Sequence, residues 1–264
     1  MANLEEYVKL VPASRRTLNL FLMVDISASM SGEKIAAVND AMRNVMPIVS
    51  EIGESNPDAE IKVSVLTFNH VVTWLTKEPV CASQFQWQDQ NADGCTAMGG
   101  ACEELNGKLS HKHGFLKSAS GSYAPVIIML SDGQPTDEFT PAMNRLKENA
   151  WFKHATRLAI AIGNDADIEV LKEFTGNAEL VFRVHNIDAL KTAIKVLVIS
   201  SSMVSSQSSS IAMTSTASDG NASGAITTKS EQTAELIQEE LEGSFGIDVG
   251  DAAMIDSLDI DAFD

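Results

Sequence analysis

Four stretches of the chain are almost uninterrupted runs of apolar residues: LNLFLMVD at 18–25, IKVSVLTF at 61–68, VIIML at 126–130 and TRLAIAI at 156–162. Runs of that length without strict alternation are the pattern of strands covered on both faces, as in a parallel sheet. Between them the apolar period changes to three and four. Ile35, Val38, Met42, Val45, Met46 and Val49 line one face of a helix. Further helices are expected over 98–110, 140–154, 167–174 and 187–200, with Pro141 after Thr140 in a capped first turn. VVTWL at 71–75 follows the second run after only Asn69 and His70. A link so short permits only a hairpin, so one antiparallel edge strand is expected. Strands alternating with helices through right-handed crossovers give a doubly wound α/β fold, a mostly parallel central sheet with helices on both faces.

The pattern stops after Ile199. SSSMVSSQSSSIAMTSTASDGNASGAITTKS is serine-rich and of low complexity, and such a composition cannot bury enough apolar surface to order itself. SEQTAELIQEELEG carries helical potential, and the final GIDVGDAAMIDSLDIDAFD sets acids among large apolar residues, the composition of a segment that docks onto a partner. The reading is therefore an N-terminal extension at 1–16, one domain at 17–200, and an acidic, largely disordered tail at 201–264.

Charge sharpens that division. The tail holds twelve acids against one base, Lys229, so it carries −11 of the chain's −17 and leaves −6 for the first 200 residues. Such a balance repels nucleic acid and anionic membranes, and no basic groove is visible in the sequence. The opening MANLEEYVKLVPASRR has acids where a signal peptide needs bases, and no run approaches the roughly 18 apolar residues of a membrane helix. Cys81, Cys95 and Cys102 are odd in number and lie in no CxxC spacing, which suits reduced thiols in a cytoplasm.

The candidate chemistry sits where the strands end. In an open parallel sheet, ligands bind beyond the carboxyl ends of the strands, where the strand order reverses. Asp25 ends the first apolar run and is followed by Ser27 and Ser29 in DISAS. Asp132 ends the third in SDGQPTD, and DGCTAMGG at 93–100 brings Thr96 to the mouth of a helix. Two carboxylates and three hydroxyls converging there are all hard oxygen ligands, a set that suits Mg²⁺ or Mn²⁺ with water completing the octahedron. Aspartate and serine at strand ends also cap helices and form turns, so the weight lies on the five together. As loop residues they are expected near the surface. Asp93 and Asp137 are read as solvated turn residues, Cys95 as a small loop filler, His111 and His113 as a solvated helix end, and Trp74, Trp87 and Trp151 as packing.

DISAS, the Thr96 loop and the SDG turn, in that order over about 17–200, resemble the metal-ion-dependent adhesion site of von Willebrand factor A domains. The resemblance implies that Ser27 and Ser29 coordinate the ion directly. It implies that Thr96 joins in the ligand-competent state, and that Asp25 and Asp132 act directly or through water. A protein partner would then supply a carboxylate. SDGQPTDEFTPA and AIAIGNDADIEVLKEFT are similar to bacterial TerY-type proteins of tellurite-resistance and stress operons, which implies a protein kinase and a phosphatase as neighbours. The function expected is a non-enzymatic, metal-dependent interaction module. The alternative is a Mg²⁺-dependent phosphotransferase of haloacid-dehalogenase type, which also places Asp after a first strand. Such an enzyme needs a second acid two residues on; here that residue is Ser27, which cannot serve as general acid at neutral pH.

Overall fold

The first apolar run, extended back to Arg16, becomes the central strand β1 (Arg16–Asp25), buried from its second residue to its last. The structure, a computed structural model, describes residues 15–57, 59–117 and 121–184. The expected helix at 187–200, most of the N-terminal extension and the tail lie outside the described residues.

Strand β1 pairs in parallel with β2 (Ala59–Phe68) on one side and with β5 (Val126–Ser131) on the other. Strand β6 (Thr156–Ile162) lies beyond β5, and β7 (Val181–Val184) beyond β6, both parallel. The edge next to β2 is antiparallel, as the short link at 69–71 requires: β3 (Val72–Trp74) turns back along Leu66–Phe68. A short further strand, β4 (Val80–Cys81), continues that edge against Lys62 and Val63. The order β3-β2-β1-β5-β6-β7 reverses between β1 and β5, which opens the crevice at their carboxyl ends.

Helices pack on both faces. The long helix α1 (Glu33–Ser55) turns Val38, Met42, Val45, Met46 and Val49 onto Leu18, Leu20, Leu22 and Val24 of β1. The other side chains of β1, Phe21 and Met23, face a second core. That core is built by α2 (Met98–Lys108), α3 (Phe139–Glu148), α4 (Ala150–His154) and α5 (Ile168–Thr175). Burying side chains of this size contributes roughly 1.5–3 kcal/mol each, so both core faces of β1 are anchored. Among the described residues no helix is long and apolar enough to cross a membrane.

Two helix expectations need correction. The stretch 140–154 is two helices: Asn149 leaves helical geometry and its side chain accepts from the backbone N–H of Trp151 and Phe152, capping α4. Asparagine competes for backbone donors in this way, and the apolar period alone does not reveal the break. Thr140 lies inside α3, whose N-cap position is Glu138, so the hydroxyl next to Pro141 is no cap.

Candidate metal centre

Strand β1 ends in a 3-10 turn, Ala28–Met30, and α1 begins only after Gly32, whose φ of 76° is open to glycine at little cost. The backbone thus curls directly above the sheet. Asp25 accepts the Ser27 backbone N–H on one carboxylate oxygen at 2.9 Å and the Ser131 hydroxyl of β5 on the other at 2.5 Å. The first bond fixes the turn and the second ties β1 to β5 at the crevice. Ser27 and Ser29 lie with their Oγ atoms 3.0 Å apart.

The Thr96 loop is latched on both sides. Asp93 N–H donates to the Ile26 carbonyl and Ala28 N–H to the Gly94 carbonyl, both at 3.0 Å, which joins it to the serine turn. On the other flank Thr96 N–H donates to the Thr136 hydroxyl at 2.9 Å, and Thr136 N–H to the Thr96 carbonyl at 3.0 Å. The loop after β5 is held in turn by Asp167 N–H donating to the Asp132 carbonyl at 2.7 Å. Gly133, at φ 70°, lets that contact form; a Cβ there would stand 2.5 Å from the Asp167 carbonyl oxygen. Three loops separated in sequence are therefore stitched into one surface, and they bring Asp25, Ser27, Ser29, Thr96 and Asp132 to the same end of the sheet.

Their burial differs from expectation. Asp25 and Asp132 are wholly buried and Ser27 and Thr96 nearly so; only Ser29 is exposed. Asp25 loses hydration that a charged carboxylate needs. That burial pushes its pKa above the ordinary 3.8, against hydrogen bonds from Ser131 and Ser27 that pull it down, with the negative charge of Asp132 adding to the rise. Asp132 has a different environment. Its Oδ2 accepts from the Lys34 ammonium at 3.2 Å, while its Oδ1 is buried with no hydrogen-bond partner. Lys34 also pairs with Asp165 at 2.7 Å. Burial works against the Lys34 charge, yet the bonds to Asp165 and Asp132 outweigh it and hold the ammonium pKa above its usual value.

The donor set fits a hard divalent cation: carboxylate and hydroxyl oxygens only, and a buried carboxylate oxygen left over. A cation held there must compete with the proton that burial favours on Asp25. Metal affinity is thus expected to fall on acidification, beginning above the ordinary aspartate range. Folded Asp25 holds its proton more tightly than the unfolded chain does, so as pH falls through its folded pKa this group makes the metal-free domain more stable. Mg²⁺-induced thermal shifts measured from neutral pH downward check the first expectation, and metal-free melting over the same series checks the second.

Residues that the sequence did not single out complete the site. Lys34 is one and Thr136 another. Asp137, expected as a solvated turn residue, is exposed but accepts the N–H groups of Gly99 and Gly100, both at 2.9 Å, and so caps the start of α2. Gly99 makes this possible, since a Cβ there would lie 2.8 Å from the Glu138 carbonyl oxygen. Asp93 likewise is exposed yet accepts from Asn69 at 2.5 Å. Capping of one helix by a residue 38 positions away leaves no local signal. Elsewhere, Cys95 is exposed, and His111 and His113 are exposed as expected, with the His111 ring also edge-on to Trp151 at 4.6 Å. Trp74 and Trp87 pack, with their indole N–H groups donating to Glu104 and Asn39.

Comparison with known proteins agrees with this architecture. The chain is 29% identical over 181 residues to inter-alpha-trypsin inhibitor heavy chain H1 of Mesocricetus auratus, a match covering 64% of this chain and 19% of that protein, so the chain spans about a fifth of the relative's length. Among solved structures, the pilus adhesin SpaC of Lactobacillus rhamnosus GG aligns with a TM-score of 0.55 at 14% identity, over 70% of this chain and 30% of that one. Proximal thread matrix protein 1 of the mussel byssus, in a structure with a zinc-occupied MIDAS motif, aligns with a TM-score of 0.53 at 18% identity, over 71% and 48%. The ArnB paralog VWA2 of Sulfolobus acidocaldarius aligns with a TM-score of 0.52 at 18% identity, over 70% and 46%. At such identities these structures share the fold. The model of the von Willebrand factor type A domain matches residues 19–196, and the chain belongs to that family.

Proposed function

We propose that this chain is a non-enzymatic module that captures a protein partner through a divalent cation, Mg²⁺ or Mn²⁺, held by Asp25, Ser27, Ser29, Thr96 and Asp132. The observation that carries the reading is the unpartnered, fully buried Asp132 Oδ1 beside a set of oxygen-only donors. When bound, the ion supplies a strongly positive coordination position for an incoming carboxylate, because three of its five ligands are neutral hydroxyls. The protein's own part is preorganisation. Asp25 fixes the serine turn through the Ser27 N–H, Ser131 holds Asp25, and the Thr136 latch keeps the Thr96 loop at the crevice. The zinc named for the mussel byssus protein supports a divalent ion as the occupant of such a motif.

The domain at 17–200 carries this site, and the acidic tail at 201–264 serves as a second docking element. SDGQPTDEFTPA and AIAIGNDADIEVLKEFT support a cytoplasmic setting in a bacterial stress or tellurite-resistance complex, with a protein kinase and a phosphatase as partners. The full chain used as bait should retain its partner in Mg²⁺ and release it in chelator. Thr96→Ala should lose most of that retention, with no further loss on adding chelator. Normal retention by Thr96→Ala would take Thr96 out of the site. Turnover of an aryl phosphate that disappears in Asp25→Asn would replace the binding module by an enzyme.

A further inference from the structure

A second candidate site lies at the opposite end of the sheet, where β1 and β2 begin. A cleft of about 390 Å³ is lined there by Asn19 of β1, Lys62 of β2, Lys77, Lys108 and Lys117, with a single acid, Glu78. In a chain of net charge −17, four ammonium groups around one cleft run against the average. Two are partly engaged: Lys62 pairs with Glu60 at 3.5 Å, and Lys108 stands 4.8 Å over the Phe115 ring. Lys77 and Lys117 are exposed and form no ion pair with the described residues.

Exposed lysines alone are usually solvated. What distinguishes this cleft is Asn19, which is 1% exposed, lines it beside Lys62, its register partner on β2, and has neither amide nitrogen nor oxygen hydrogen-bonded. A buried amide without partners is costly and rare in a native fold. Ser64, one step further along the same face of β2, has a buried hydroxyl in the same condition. The geometry points to a binding site for a small phosphorylated molecule bearing hydroxyl groups, of sugar-phosphate size. Lysines around the rim meet the phosphate as point charges, and the Asn19 amide, both donor and acceptor, meets a hydroxyl that is also both. The cleft lies within the roughly 300–1,000 Å³ range of small-ligand sites and is larger than an inorganic phosphate needs. This site is independent of the metal centre.

The test is calorimetric titration of the full chain with ribose 5-phosphate, inorganic phosphate and ribose. Ribose 5-phosphate should bind saturably and about tenfold more tightly than inorganic phosphate, with ribose silent. Lys77→Ala with Lys117→Ala should weaken ribose 5-phosphate by about tenfold or more while melting is unchanged, since both residues are exposed. Asn19→Ala should reduce it to the level of inorganic phosphate. Asp25→Asn and chelator should leave it unaffected, which separates failure here from failure of the metal site. Equal binding of the two phosphates, binding indifferent to the lysine replacements, or no saturable binding would each overturn the proposal.

Discussion

Asp25→Asn is expected to abolish the response of the domain to divalent cations without weakening the metal-free fold. At a free ion concentration about one hundred times Kd, binding contributes about 2.7 kcal/mol. For a domain of this size that raises Tm by about 5–10 °C. The variant should show none of it, because the charged oxygen nearest the serine turn is gone. Its own Tm should equal or exceed that of the metal-free wild type. The reason is that a buried carboxylate carries a desolvation penalty that an amide does not. An asparagine can keep both contacts: its oxygen accepts the Ser27 N–H, and its amide donates to the Ser131 hydroxyl, which rotates to receive it. Melting curves with Mg²⁺, with Mn²⁺ and with chelator check this. A variant that kept the metal-induced shift would remove Asp25 from the site. A variant that melted far below the wild type would show the carboxylate to be a structural group first.

The second large effect is expected at Lys34 and has two opposite parts. Lys34→Met removes a cation that sits 3.2 Å from Asp132 and that any bound metal must face. Like charges near a protein surface repel by a few kcal/mol at an effective dielectric of about 20, and partial exposure of Lys34 reduces this. Metal affinity should rise by about tenfold, a net effect of about 1.4 kcal/mol. Without metal the same change leaves Asp132 buried and unpaired, so the metal-free domain should lose about 1–3 kcal/mol. The metal-induced rise in Tm should therefore be larger than in the wild type and start from a lower base. Calorimetric titration gives the affinity and melting gives the base. An unchanged affinity would mean that the ammonium moves aside when the ion enters.

Much of this was legible in the sequence for a simple reason. Buried parallel strands must be apolar on both faces, so LNLFLMVD and VIIML announce themselves, and the polar residues that end such runs must lie at the carboxyl edge of the sheet. That logic located Asp25 and Asp132 together. It could not reveal how deeply they are buried, because burial comes from the loops folded over them, latched by backbone bonds such as Ala28 to Gly94. Nor could it find Lys34, which reads as one more polar residue in the first turn of an amphipathic helix. Its partners, Asp132 and Asp165, are 98 and 131 positions away. The Asn149 break between α3 and α4 was hidden for a related reason: side-chain capping interrupts the backbone while the apolar period runs on through it.

The 2.5 Å bond between Ser131 and Asp25 joins residues 106 positions apart, and this bears on how the protein is made. Translation at about 5–20 residues per second puts roughly 5–20 s between the appearance of the carboxylate and that of the hydroxyl. In that interval the serine turn has no opposing wall, and parallel pairing of β1 with β5 is among the slow, non-local steps of folding. A cation at this centre thus has nothing to hold in the nascent chain and only the finished sheet to grip. On the proposed function, its effect should fall on the escape from the native state, slowing unfolding while leaving the speed of folding to the sheet.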